Sequence, residues 1–130
     1  MEKRLRNRLL VKGLTMHMQD WNTYRQQIID GVGGLSKLSP ETVKGYATLN
    51  SAAHRTNLLD DKTRELIALA VAISLRCDGC NAVHTAAARK FVATKEEVAE
   101  ALGVATSINA GAAIVYSTRA LDAFDATGEV

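Results

Sequence analysis

Alanine is concentrated in one part of this chain, and its distribution constrains the fold more than any other feature. All 20 alanines of the 130-residue sequence lie at or after Ala47, and the single proline, Pro40, precedes them. Alanine is the best helix former and a poor strand residue. No stretch shows the sustained alternation of branched and polar residues that indicates a half-buried strand. The sequence therefore predicts an all-α fold.

Start and stop signals divide the chain into six predicted helices, which we expect to form a compact bundle. Capping residues and a proline at the first helical position mark the starts, and glycine-rich or polar breaks mark the ends. The predicted starts are Asp20, Ser39-Pro40-Glu41, Asp60 or Asp61, the break at 76–79, Thr94, and Ser107 or Asn109. The first helix is predicted to end in the glycines of 31–34. The third is apolar almost all round from Leu66 to Leu75, which predicts burial in the middle of the bundle.

Length and composition predict one domain, over residues 20–126. With 47% hydrophobic and 23% charged residues, the chain does not have the composition of a disordered protein. No apolar run approaches the roughly 18 residues of a membrane helix, and the first residues lack the pattern of a secretory signal. We therefore expect a cytoplasmic protein with no membrane partner.

Residues 1–19 are predicted to form a basic N-terminal arm. The first twelve residues contain five lysines and arginines and one glutamate. Such an arm can contact nucleic acid or an anionic membrane, but the whole chain has only six aromatic residues and no basic face interleaved with them. We therefore predict no nucleic-acid partner, and expect the arm to be solvated or to lie on a neighbouring subunit.

Cys77 and Cys80 are the only two cysteines, and they lie three residues apart where a helix is predicted to begin. At this helical spacing their Cα atoms are ~5 Å apart, which is inside the roughly 4.4–6.8 Å range of a disulfide. The pair can therefore close and open with little backbone movement. Unpaired N–H groups in the first turn of the helix also favour a thiolate.

Two further side chains predict that this pair is chemically active. His84 follows Cys80 by one helical turn, so its imidazole can take a proton from a thiol and return it to a leaving oxygen. Glu65 lies on the preceding apolar helix, where a carboxylate needs a partner such as an imidazole. Together the four residues predict a redox dithiol with a proton relay.

Two other interpretations of the same residues stay open. The cysteines can be buried thiols that act as small hydrophobic residues. Alternatively, two Cys, one His and one Glu make the four ligands of a zinc site. Structural zinc usually holds loops together, however, and an all-helical core does not need this. Attachment of c-type haem is excluded, because Asn81 rather than a histidine follows Cys80.

The pattern Glu65-x11-Cys77-x2-Cys80-x3-His84 resembles the active-site signature of the alkylhydroperoxidase D branch of the carboxymuconolactone decarboxylase-like family. The resemblance extends from about Trp21 to Phe124. It implies an all-α fold that assembles as a trimer or hexamer. It also implies a peroxidase that uses no metal, haem or other bound cofactor.

The resemblance also implies a role for each residue of the pattern. Cys80, nearer the histidine, attacks the hydroperoxide substrate, and Cys77 resolves the resulting sulfenic acid to a disulfide. His84 and Glu65 pass protons. An external dithiol reductant, such as dihydrolipoamide, resets the disulfide by exchange.

The chain departs from the family pattern at two positions. Val92 stands where the family usually has glycine; because a left-handed helix end is costly for valine, we expect that turn to differ. Asn81 stands where an apolar residue often follows the second cysteine, and we expect it to alter the pocket.

Two alternative functions stay open. One is a carboxymuconolactone decarboxylase-type lyase acting on a small lactone acid, for which Arg76 or Arg89 would have to bind the carboxylate; Cys77 argues against it, because that branch generally lacks the first cysteine. The other is a non-enzymatic helical module that binds a partner or senses redox state.

Overall fold

A computed structural model describes residues 16–128, and these form five α-helices joined by short connections. The helices are α1 (Trp21–Leu38), α2 (Pro40–Thr56), α3 (Asp61–Ser74), α4 (Asp78–Lys90) and α5 (Lys95–Ala126). No strand occurs between residues 16 and 128, and the all-α prediction is confirmed. Most of the predicted basic arm, residues 1–15, lies outside the described residues.

Helix α3 lies at the centre of the packing. It contacts both α4 and α5, while α1 contacts α2 and α4. The fully buried side chains are small apart from one leucine: Leu69, Ala72, Ala82, Ala88 and Ala105. The alanines on α4 and α5 allow these helices to approach α3 closely, and this packing places Glu65 of α3 against α4.

The prediction that α3 is buried all round is wrong for the single chain. Ile67 and Val71 are 48% and 52% exposed, and Leu75 is 72% exposed. Helices α4 and α5 cover one side of α3, and no other described helix covers the opposite side. The apolar surface that the sequence places on α3 therefore exceeds what one copy of the chain buries.

Helix α1 runs through the glycines of 31–34, which corrects its predicted end. Each glycine costs a helix only about 1 kcal/mol relative to alanine, which does not suffice to end it here. The helix ends at Leu38, because Pro40 disfavours helical backbone in the residue before it. Ser39 accordingly has φ −140° and ψ 70°.

The predicted break at Ser107 or Asn109 is also wrong, so the described chain has five helices rather than six. The side-chain amide of Asn109 does not cap a new helix. It donates to the Ala105 carbonyl at 2.8 Å and to the Ser74 hydroxyl at 2.7 Å. These contacts satisfy the polar side chain inside a continuous α5 and tie that helix to α3.

Side-chain caps are confirmed at Asp20, Asp60 and Thr94, whereas Ser39 stands at the predicted N-cap position of α2 but makes no capping hydrogen bond with its side chain. The Asp60 carboxylate accepts the backbone N–H of Thr63 at 2.7 Å, and its hydrogen bonds from Thr63 lower its pKa. Thr94 and Glu97 form a reciprocal capping box at the start of α5. Each cap supplies an acceptor for N–H groups that have no partner within the helix.

An ion pair connects α3 to the start of α5. Lys62 Nζ lies 2.8 Å from Glu97 Oε1, across 35 residues of sequence. The Lys62 hydrogen bond, followed by the Thr94 N–H, lowers the pKa of Glu97, and the same hydrogen bond raises the pKa of Lys62. This contact joins the first turn of α3 to the first turn of α5.

The turn after α4 adopts the left-handed conformation that we expected valine to avoid. Val92 has φ 65°. Its N–H donates to the Arg89 carbonyl and the Ala93 N–H donates to the Ala88 carbonyl, both at 3.0 Å. This is the Schellman pattern that usually has glycine at the left-handed position. The expectation was wrong because these two hydrogen bonds, which satisfy carbonyls at the helix end, offset a conformational cost of roughly 1–2 kcal/mol.

Helix α5 is, among residues 16–128, the one helix long and apolar enough to cross a membrane by length and composition alone. Its 18-residue window has a mean hydropathy of 1.5 and is 6% buried. This corrects the expectation that no stretch approaches such a length, because frequent alanines raise the hydropathy without a run of large side chains. Length and composition are by themselves weak evidence for a membrane.

Candidate active site

Cys77 lies at the junction of two helices. Its backbone N–H donates to the Ala72 carbonyl at 3.0 Å and so closes α3, after Arg76 has taken a left-handed φ of 53°. The same residue is the N-cap of α4. The end of one helix and the start of the next therefore both determine the position of the Cys77 sulfur.

Cys77 and Cys80 form a disulfide, with their Cα atoms 5.2 Å apart. Both residues are half-buried, so neither sulfur-bearing residue is enclosed in the core. The backbone N–H of Cys80 also points at Cys77 Sγ, at 3.1 Å. A hydrogen bond to a sulfur favours its thiolate form, since charge on the acceptor strengthens the bond.

Glu65 on α3 and His84 on α4 are in direct contact, as the sequence predicts. Glu65 Oε2 lies 2.7 Å from His84 Nδ1, and the two side chains are 14% and 28% exposed. An ionised carboxylate can only accept a hydrogen bond, so this contact holds a proton on Nδ1. The other ring nitrogen, Nε2, is then the acceptor that can take a proton from another group.

The four predicted residues occupy neighbouring positions. Cys77, Cys80 and His84 lie within an arc of about 60° at the start of α4, and Glu65 meets that helix from α3. Within residues 16–128, no three His, Cys, Asp or Glu side chains are arranged to hold a metal ion. The arrangement has the parts of a dithiol with an adjacent imidazole and carboxylate.

A cavity of about 510 Å³ lies beside this site, and sequence reasoning did not find it. Helices α1, α3, α4 and α5 all contribute to its wall. The lining residues are Trp21, Asn22, Arg25, Leu69, Ile73, Asn81, Thr85, Ala86, Arg89, Val98 and Leu102. The disulfide, His84 and Glu65 are not among them, so the reactive groups and the cavity lie on adjoining faces of α4.

Two of the cavity residues were singled out from the sequence, and the rest were not. The position of Asn81 in the wall agrees with the expectation that it alters a pocket, and Arg89 was a candidate cation. Arg25 was missed. The available signal was its spacing of four residues from Trp21, which places both on one face of α1.

Comparison with known proteins gives consistent matches over most of the chain. A model of the carboxymuconolactone decarboxylase family matches residues 40–123. An uncharacterized protein of Haemophilus influenzae is 46% identical over 105 residues, which cover 81% of this chain and 93% of that protein. An uncharacterized protein of Cupriavidus necator is 32% identical over 107 residues, covering 82% of this chain and 95% of that protein.

A solved structure matches most of the chain. It is the crystal structure of the apo form of a carboxymuconolactone decarboxylase family protein from Legionella pneumophila. The TM-score is 0.64 at 35% sequence identity, and the match covers 81% of this chain and 94% of that one.

Proposed function

The chain belongs to the carboxymuconolactone decarboxylase family, and we propose that within it the chain is a thiol-dependent peroxidase of the alkylhydroperoxidase D kind. The observation that carries this proposal is the 2.7 Å contact between His84 Nδ1 and Glu65 Oε2, one helical turn from a redox-capable cysteine pair. A dithiol alone is common, whereas a dithiol with an oriented base beside it is suited to catalysis.

In the oxidative step, Cys80 is the nucleophile. His84 accepts the thiol proton on Nε2, and Glu65 stabilises the imidazolium that forms. The thiolate attacks the terminal oxygen of the hydroperoxide, an S–O bond forms, and the O–O bond breaks. The leaving alkoxide takes the proton from His84 and departs as an alcohol, which leaves Cys80 as a sulfenic acid.

In the resolving step, Cys77 attacks the oxidised Cys80. The Cys80 N–H, 3.1 Å from Cys77 Sγ, supports the Cys77 thiolate. An S–S bond forms as the S–O bond of the sulfenic acid breaks, and the leaving hydroxide becomes water with the proton that the Cys77 thiol gave up. The Cα separation of 5.2 Å allows this closure within the observed backbone.

In the reductive step, an external dithiol such as dihydrolipoamide returns two electrons. One of its thiolates attacks the Cys80 sulfur and expels Cys77 as a thiolate, since the better stabilised thiolate leaves faster. The second thiol of the donor then attacks the mixed disulfide and releases Cys80. The donor leaves as a disulfide, and the enzyme is again a dithiol.

The proposal includes a cytoplasmic homo-oligomer, a trimer or hexamer, that needs no metal or haem. The exposed apolar residues on α3 and α5 support the oligomer, because large exposed apolar patches mark interaction surfaces. The half-buried cysteines support access by small oxidants and dithiols.

Stopped-flow measurement of peroxide consumption in the presence of a dithiol tests the proposal. We expect Cys80→Ser to lose consumption above the uncatalysed background. In a parallel assay without dithiol, we expect Cys77→Ser to consume one equivalent of peroxide and stop as a sulfenic acid that reacts with dimedone, because no thiol is present to resolve it. Ser107→Ala, an exposed substitution on α5, is the control and should behave as wild type. Undiminished peroxide consumption by Cys80→Ser would contradict the assignment.

The lyase alternative has one observation in its favour. Arg25 and Arg89 both line the cavity, so a carboxylate-binding cation that a lactone acid needs is available there. Lyase activity that survives alkylation of both cysteines would favour this alternative. A redox-sensing module would instead cycle its disulfide without sustained turnover of peroxide.

A further inference from the structure

The cavity beside the disulfide has an apolar wall. Leu69 and Ile73 of α3 form one side, and Val98 and Leu102 of α5 form another. Trp21 contributes a large aromatic side chain from α1. At about 510 Å³ the cavity has the size of a small-molecule site. An apolar body is therefore the part of a ligand that most of this wall would contact.

The charged residues that line the cavity are all positively charged. Arg25 and Arg89 line the cavity, and no aspartate or glutamate does. Among residues 16–128, neither guanidinium is paired with a carboxylate. Arg25 is half-buried and donates to the Asn22 side-chain oxygen at 3.1 Å, which holds it at the cavity. Planar guanidinium groups match carboxylates in geometry as well as in charge.

Some of the cavity residues form a row along the axis of α4. Asn81, Thr85 and Arg89 are spaced at four-residue intervals, so they form one stripe along α4. Asn81 directly follows Cys80, whereas Arg89 lies two turns further on, ~12 Å along the helix axis. A ligand whose acid group is held by Arg89 can therefore extend its other end toward the dithiol.

We propose that this cavity binds a medium-chain organic acid, with its carboxylate on Arg25 and Arg89 and its apolar chain running toward Asn81. The binding itself depends only on the cavity, whereas its use in turnover rests on the proposed function. In that setting the acid is either the hydroperoxide substrate or the dithiol reductant, since either one must reach Cys80, which directly precedes Asn81 of the cavity wall.

Octanoate is the probe for binding, because it has the acid group and the chain but no redox chemistry. We expect isothermal titration to show binding to the wild-type protein, weakened about tenfold or more in Arg89→Gln and Arg25→Gln, since each variant loses a charge-assisted hydrogen bond to the carboxylate. Arg55→Gln, exposed on α2, is the matched control and should bind as wild type. Uncharged 1-octanol should bind more weakly than octanoate. Equal binding by octanol, or unchanged binding in both cavity variants, would overturn the proposal.

Competition experiments with the wild-type protein distinguish whether the acid bound in the cavity is the hydroperoxide substrate or the dithiol reductant. If octanoate raises the KM of an acid hydroperoxide, the cavity serves the oxidant; if it raises the KM of dihydrolipoate, the cavity serves the reductant. Octanoate that binds but affects neither KM would overturn the role in turnover. If the protein consumes no peroxide at all, the proposed function fails, while the titration still decides the binding site.

Discussion

The imidazole of His84 depends on one partner for its orientation. Glu65 holds Nδ1 at 2.7 Å, and the side chain of this glutamate is only 14% exposed. A carboxylate in such a position does two things: it fixes which ring nitrogen is the base, and it stabilises the positive charge that appears after proton transfer. In the proposed mechanism Glu65 therefore acts through His84, as a positioning residue.

We expect Glu65→Gln to lower the kcat of peroxide consumption by about 10- to 100-fold, because losing such a partner typically costs that much activity. The KM for the dithiol should stay unchanged, which a general loss of structure would not give. Glu65→Asp, which keeps the charge, should recover part of the rate. Glu100→Gln on the exposed face of α5 is the control. A Glu65→Gln enzyme with the wild-type kcat would show that the contact is only structural.

Sequence reasoning could place the four reactive residues together, because most of their geometry is local. Cys77, Cys80 and His84 share one helix face by spacing alone, and Glu65 needed only one helix-to-helix contact to join them. Their catalytic roles stay predictions. The spacing from Trp21 indicates only the face of α1 on which Arg25 lies; its place in the cavity depends on how α1 crosses α4, which is decided by tertiary packing.

The ends of the helices show which local signals are strong. Starts were predicted correctly where a side chain caps an N–H group, as at Asp60 and Thr94. Breaks were predicted wrongly where the sequence only weakens a helix, as in the glycines of 31–34 and at Asn109. Packing and back-bonding to a carbonyl compensate for low helix propensity, so a weak residue alone does not end a helix.

At the end of α4, the side chain of Val92 is unfavourable for the left-handed backbone conformation that this residue adopts. We expect Val92→Gly to raise the free energy of unfolding by about 1 kcal/mol, because glycine adopts φ 65° without the steric cost that valine has. Little packing is lost, since Val92 is 79% exposed. Urea unfolding followed by circular dichroism measures the change.

The control for that change is Ala99→Gly, at an exposed position inside α5. There glycine should lower the free energy of unfolding by about 1 kcal/mol, because the backbone at residue 99 is helical and glycine has a lower helix propensity than alanine. If Val92→Gly is as destabilising as Ala99→Gly, the left-handed turn carries no strain that glycine can remove.

At the scale of the whole molecule, helix α5 extends well beyond its packing partners. Its 32 residues span ~48 Å, and α3 is the one described helix that it contacts. Ile114, Val115 and Tyr116 are 71%, 71% and 72% exposed. An apolar surface of this extent is typical of an interface between chains, and the small residues around it allow close helix approach.

We expect sedimentation to show wild-type species larger than the 14.0 kDa single chain. Val115→Lys should shift the population toward single chains, because a charge would have to be buried in the interface. Asn50→Lys, an exposed polar position on α2, should leave the assembly unchanged. A wild-type protein that sediments only as single chains would contradict the oligomer.

The backbone hydrogen bond from Cys77 to Ala72 does not involve sulfur, so opening or closing the disulfide leaves the junction between α3 and α4 in place. Electrons in the proposed cycle would thus be stored in the polypeptide itself. A redox group of that kind would be made with the chain at one equivalent per molecule, and dialysis would not remove it.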